Sequence, residues 1–182
     1  MPSTNAAGTR AFFGPRSAGW EARFPNDGPA YAHAVAELAP PAGGTALDAG
    51  CGTGRALPAL RDHVGITGTV IAVDLTVEML AEATRRGRAA LAVLFIADVA
   101  RLPLDSASVD VIFAAGLLAH LPDPLAGLTE LARVPRPDGR LALFHPIGRA
   151  TLARRHGGSV ALNVGSAADH GVRRETGVRG GA

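Results

Sequence analysis

The order of apolar runs along this sequence predicts an α/β fold: a doubly wound, mostly parallel sheet with helices on both faces. Three observations carry that expectation. Five short and nearly continuous apolar segments, at 45–49, 69–74, 92–97, 109–114 and 140–144, read as strands buried on both faces. Helical spacing of apolar residues fills most of the intervals between them. The first strand also runs straight into Gly50-Cys51-Gly52-Thr53-Gly54, where glycine at every second position lets the backbone bend sharply and approach a ligand. Right-handed crossovers then leave the doubly wound arrangement as the natural topology.

Taken in order, residues 1–27 are rich in Gly, Pro and Ser and read as irregular, with Trp20 and Phe24 as the notable aromatics. Asp27-Gly28-Pro29 has the form of a helix start, with Asp27 as cap and proline in the first turn. Tyr31, Val35 and Leu38 share one face of that helix, and Pro40-Pro41-Ala42-Gly43-Gly44 ends it. After the glycine turn, Leu57, Leu60 and Val64 mark the buried side of the next helix, with Pro58 near enough to its start to be accommodated. The second strand stays apolar until Asp74, and Thr76 can cap a helix that turns Met79, Leu80 and Ala83 inward. The third strand ends against Asp98. A helix carrying Leu125, Leu128, Leu131 and Ala132 follows the fourth and ends near Pro135, before Pro137-Asp138-Gly139 turns into the fifth. Residues 1–44 thus form an arm and helix expected to act as a lid, 45–148 the core, and 149–182 a short helix and a basic, glycine-rich tail expected to be disordered.

Composition narrows the class. With 182 residues, 47% hydrophobic and 19% charged, the chain suffices for one well-buried domain and is too short for two ordinary ones. A single cysteine, Cys51, excludes an internal disulfide and a cysteine-rich metal site, and no metal is expected. No secretory signal is visible, and Asp98 and Asp110 interrupt the longest apolar runs, so a cytoplasmic protein without a membrane partner is expected. All 18 basic residues are arginine. The absence of lysine excludes a Walker phosphate loop and Schiff-base chemistry. Residues 149–182 hold six arginines and two acids, so the basic balance belongs to the tail. Lacking interleaved aromatics, that tail reads as a solvated end rather than a nucleic-acid contact.

In such sheets ligands lie beyond the carboxyl ends of the strands, where strand order reverses. Asp48, Asp74 and Asp98 close the first three strands on that edge, beside the glycine turn. Arg55 stands where the dinucleotide fingerprint wants its third glycine, and a carboxylate at Asp48 suits a cationic ligand better than a pyrophosphate. Both features disfavour a nicotinamide dehydrogenase and point to S-adenosylmethionine. Asp74 can accept hydrogen bonds from both hydroxyls of a ribose. Asp98 either accepts from an adenine amino group or caps the turn that follows. Met79 packs on the adenine or simply fills core, and Cys51 reads as a small residue in a tight turn.

The segment Asp48-Ala49-Gly50-Cys51-Gly52-Thr53-Gly54 resembles the first motif of class I S-adenosylmethionine-dependent methyltransferases. Val73-Asp74-Leu75-Thr76-Val77-Glu78-Met79-Leu80 resembles their second, and the run from Asp98 to Ile112 their third acidic loop and fourth strand. Leu117 to Pro124 and Arg133 to Leu141 resemble the segments that follow in the ubiquinone/menaquinone-methyltransferase-like (type 11) group. The resemblance covers about residues 45–146 in the right order. It implies a seven-stranded Rossmann-like fold and transfer of a methyl group from S-adenosyl-L-methionine to a small-molecule acceptor. It also implies a division of labour. The glycine-turn backbone (Ala49 to Gly54) with Asp48 would hold the methionine end, Asp74 the ribose, and Asp98 with Val99 the adenine, while Ala115 would lie near the methyl group; Leu75 and Met79 are further cofactor-binding candidates. A general base is needed only for a protonated nucleophile. His145 is the candidate, His120 a weaker one, and Tyr31 and His33 could face the acceptor.

Beyond residue 156 the resemblance fails. Ser159-Val160-Ala161-Leu162-Asn163-Val164 alternates enough for one strand with no visible partner, so the C-terminal strand pair is expected to be incomplete, as a frame shift or truncation would leave it. That curtailment supports a second reading, a catalytically impaired module that binds the same nucleotide. Base methylation of nucleic acid is disfavoured, since Ala114-Ala115-Gly116-Leu117 stands after the fourth strand where an Asn/Asp-Pro-Pro-aromatic motif would be required.

Overall fold

The computed structural model describes residues 5–145. The expected short helix after Gly148, the strand at 159–164 and the basic tail lie outside these residues. Among the described residues, five parallel strands form one sheet: β1 (Thr45–Ala49), β2 (Thr69–Asp74), β3 (Val93–Ile96), β4 (Val109–Ala115) and β5 (Pro135–Phe144). Their spatial order is β3-β2-β1-β4-β5, so the chain winds outward from β1 in one direction, then returns to its other side. That reversal places the switch point between the carboxyl ends of β1 and β4.

The helices are α1 (Ala6–Phe13), α2 (Gly28–Leu38), α3 (Leu57–Val64), α4 (Val77–Arg85) and α5 (Pro124–Arg133). Strand alternation divides the sheet's side chains between two apolar clusters. Ala46, Val70, Val111 and Phe113 pack with Val35, Leu38, Leu57, Leu60 and Val64 under α2 and α3. Leu47, Val73, Ile112 and Ala114 pack on the opposite face with Val99, Leu102, Leu131 and Val134. Fully burying such a side chain contributes about 1.5–3 kcal/mol. Within α5 the buried positions are Gly127 and Leu131 rather than the expected apolar row, and Leu125 is 68% exposed.

Four local expectations are corrected. Residues 6–13, read as irregular, form α1, because the Asn5 side chain accepts the Gly8 N–H at 2.8 Å and caps the first turn. Asp27 makes no capping hydrogen bond to α2 and its carboxylate lies 3.7 Å from Arg55 instead. Thr76 likewise supplies no side-chain cap to α4; its own N–H donates to Asp74 Oδ1 at 2.8 Å. β5 also begins earlier than residue 140. Pro135 pairs with Val109, and the next pairing, Val111 with Arg140, leaves the Pro137-Asp138-Gly139 turn as an irregularity within the strand. A strand's first residue tolerates proline, whose missing N–H costs no ladder bond there. Among the described residues, no helix is long and apolar enough to cross a membrane.

Candidate functional site

The site is built outward from β1. Its register sets Asp48 between Ala72 of β2 and Phe113 of β4, with its side chain on the face that α2 and α3 cover. At Gly50 the backbone takes φ +69°, and a Cβ there would stand 2.8 Å from Leu117 Cδ1. Gly54 has φ +79°, and its Cβ would stand 2.7 Å from Leu57 Cδ1. Both positions combine a left-handed backbone with a close approach, so each requires glycine. Between them Gly52 donates its N–H to Asp74 Oδ2 at 2.8 Å. The Asp74 carboxylate thereby ties the turn after β1 to the start of α4.

A cavity of about 340 Å³ lies along this carboxyl edge. The glycine turn and Asp48, Asp74 and Asp98 bound one side of it, and Ala115, His120 and His145 the β4–β5 side. The N-terminal arm supplies Thr9, Phe13, Trp20, Phe24 and Tyr31. Phe13 packs edge-on against His120 at 4.8 Å and against Trp20 at 5.3 Å, and Trp20 lies 5.5 Å from Phe24, giving one line of rings. Polar ties hold the arm in place. Arg10 Nε donates to the Leu75 carbonyl at 3.1 Å, and Thr53 Oγ1 donates to Glu21 Oε1 at 2.8 Å. Arg88 pairs with Glu21 and donates to the Thr53 carbonyl at 2.6 Å, while Arg86 lies 3.0 Å from Glu21.

Electrostatics single out Asp48. It is 2% exposed, and its Oδ2 has no hydrogen-bond partner among the described residues. Burial, and secondarily the charge of Asp74, push its carboxyl up to about 8. Burial also raises Asp74, opposed by the backbone N–H groups of Thr76 and Gly52. The Cys51 thiol is pushed well up by burial and then by the two carboxylates, which keeps it protonated and inert at neutral pH. Burial and then the charge of His145 lower the His120 imidazole, which is therefore neutral at pH 7. Tyr31 is pushed up to about 12, first by burial and then by Asp48, and stays a hydrogen-bond donor.

Of the residues singled out from sequence, the structure brings Asp48, Gly50, Cys51, Gly52, Thr53, Asp74, Leu75, Met79, Asp98, Val99, Ala115 and His145 to the one cavity. Ala49 and Gly54 do not line it. Ala49 is fully buried in the sheet, and Gly54 turns toward Leu57 and Arg88. Asp98 also serves the turn that follows it, accepting the Ala100 N–H at 2.9 Å. His33 is on the outside, paired with Glu37 at 3.3 Å, so it does not face the cavity. Thr9 and Phe13 lie on α1, which the sequence pattern leaves irregular; Asn5 ahead of an alanine-rich run is the cap signal that marks it. In the sequence Arg55 stands out only as a missing third glycine, yet it lines the cavity.

A glycine turn between a central parallel strand and a helix, flanked by carboxylates at the switch point, defines an α/β domain of the nucleotide-cofactor-binding class. The chain matches the methyltransferase domain family over residues 47–143, more than half its length, and belongs to that family. It is 35% identical over 127 residues to the nocamycin O-methyltransferase of Saccharothrix syringae, a match spanning 68% of this chain and 44% of that protein. It is 37% identical over 106 residues to the 27-O-demethylrifamycin SV methyltransferase of Amycolatopsis mediterranei, spanning 56% and 38%. Among solved structures, a SAM-dependent methyltransferase from Aquifex aeolicus superposes with a TM-score of 0.56 at 28% identity, over 78% of this chain and 72% of that one. The chain spans less than half the length of the two curated relatives. The cofactor that the family implies is S-adenosyl-L-methionine. The site fits it on two counts: Asp48 Oδ2 is a buried acceptor without a donor among the described residues, and a Cβ at Gly52 would meet no atom within 4 Å, so the turn is open on the cavity side.

Proposed function

We infer that this chain is an enzyme that transfers a methyl group from S-adenosyl-L-methionine to a small-molecule acceptor. The observation that carries the reading is the fully buried, unpartnered Asp48 oxygen on the cavity wall, beside the open glycine turn. A buried carboxyl without a donor is costly unless a ligand supplies one, and a cation is the best match to it. Asp48 would hold the ammonium, with the backbone from Gly50 to Thr53 around it and Ala49 and Gly54 shaping the turn. Asp74 accepts the Gly52 N–H through Oδ2 and the Thr76 N–H through Oδ1, and it lines the cavity where a ribose hydroxyl would reach it. Leu75, Met79, Asp98 and Val99 would surround the adenine, and Ala115 would stand near the transferred methyl.

Bound S-adenosylmethionine supplies a methyl group on a sulfonium that already carries the leaving-group activation. The chain's own work is alignment and exclusion of water. Residues 1–44 would act as the lid over a core at 45–148. His145 would accept the proton of a hydroxyl acceptor, with the neutral His120 beside the same space as second candidate. The nocamycin and 27-O-demethylrifamycin SV methyltransferases among the relatives support a small-molecule acceptor. Calorimetric titration of the full chain with S-adenosylhomocysteine tests the reading. Binding is expected, weakened at least about tenfold in Asp74→Ala, since losing charge-assisted hydrogen bonds costs upward of about 1.4 kcal/mol. Equal affinity in the variant would remove Asp74 from the site, and no binding by the wild type would overturn the proposal.

A further inference from the structure

Among the described residues that line the cavity, Arg55 is the one arginine, in a chain that has 18 basic residues. It follows the glycine turn directly, and its side chain is only 11% exposed. A guanidinium offers five N–H donors. Among the described residues, Arg55 spends one on the Phe24 carbonyl through Nη2. Its one carboxylate neighbour, Asp27, is 3.7 Å from Nη1, well beyond the roughly 2.8 Å of a charge-assisted bond. The remaining donors of this largely buried cation meet no acceptor among the described residues, an arrangement that is costly unless something completes it.

Its placement relative to Asp48 suggests what does. The Arg55 guanidinium carbon stands 5.5 Å from the centre of the Tyr31 ring. That ring packs on Phe113 at 6.1 Å and edge-on against Phe144 at 5.1 Å. Phe113 is the register partner of Asp48. The cavity wall therefore carries an underused cation and an unpartnered carboxyl, both near enough to Tyr31 to act on its hydroxyl, and no ion pair joins them among the described residues. Such a wall matches a ligand that brings both charges on adjacent atoms, which is the α-amino acid group.

Building on the cofactor reading above, we propose that Arg55 is a further cofactor-binding residue: it takes the α-carboxylate of the methionine end while Asp48 takes the α-ammonium. The Tyr31 ring stands beside the guanidinium, and the Asp27 carboxylate lies 3.7 Å from it. The alternative, that Arg55 merely fastens the arm through Phe24 and Asp27, predicts a different pattern of losses. The test compares S-adenosylhomocysteine with 5′-methylthioadenosine, which shares the adenosine and sulfur but lacks the amino-acid end. Both are titrated into full-length wild type, Arg55→Gln and Arg55→Lys. The expected result is at least a tenfold loss for S-adenosylhomocysteine in Arg55→Gln, partial recovery in Arg55→Lys, and methylthioadenosine affinity unchanged within twofold. Unchanged methylthioadenosine binding also shows that the variant is folded. Equal losses for both compounds would assign Arg55 to the arm and overturn the proposal, as would an undiminished preference for S-adenosylhomocysteine. A wild type that binds neither compound would overturn the cofactor reading itself.

Discussion

Replacing Asp48 by asparagine separates the cost of this site from its use. In the folded chain burial and Asp74 raise the Asp48 carboxyl from its ordinary 3.8 to about 8. Between those two values the folded protein holds a proton that the unfolded chain releases, so this group's contribution to stability is full below pH 4 and is lost as pH rises toward 8. At about 1.4 kcal/mol per pKa unit, the loss at pH 7.5 has an upper bound of about 5 kcal/mol. Asparagine keeps the shape and removes the titration. Asp48→Asn should therefore make the ligand-free protein more stable by about 2–4 kcal/mol at pH 7.5, with the gain shrinking toward zero as pH falls to 4. The same variant should bind S-adenosylhomocysteine at least tenfold more weakly, because a neutral amide cannot balance an ammonium. Urea unfolding at several pH values and calorimetry provide the two measurements. A variant that is no more stable than wild type at pH 7.5 would refute the claim that Asp48 is an uncompensated buried acid.

Two further outcomes follow from the same geometry. A cationic ligand against Asp48 must lower its pKa from about 8, so binding near pH 7 should release up to one proton, and affinity should rise with pH before levelling above pH 8; titrations in buffers of different ionisation enthalpy measure the release. Gly54→Ala places a Cβ 2.7 Å from Leu57 Cδ1 on a backbone at φ +79°, and should cost about 1–3 kcal/mol in urea unfolding.

The sheet was legible because its strands are apolar almost throughout, a pattern that only double-sided burial requires. The carboxylates were legible for a related reason: Asp48 and Asp74 are exceptions at the ends of such runs, and an acid there must have a use. What escaped was tertiary in origin. Asp27 has the local signature of a cap, yet its carboxylate makes no bond to α2 and lies 3.7 Å from Arg55, 28 residues further on. Thr76 loses the same role to Asp74, whose second oxygen binds the turn after β1. Arg55 itself was invisible as a site residue, because a solvent-facing and a cavity-facing arginine at a helix start have the same sequence. The helix at 6–13 buries none of its side chains fully, so it lacks the strong apolar stripe by which helices are found.

That last feature has a consequence for entry to the cavity. Residues 5–24 are docked through the Glu21–Arg86–Arg88 cluster, a hydrogen bond from Arg10 to the Leu75 carbonyl, and the partly buried rings of Phe13 and Trp20. None of these residues belongs to the two apolar clusters that hold the sheet, so detachment in the proposed lid role would leave those clusters intact. In the proposed lid role, opening would depend on those ion pairs more than the sheet does, so ionic strength should move the two to different extents.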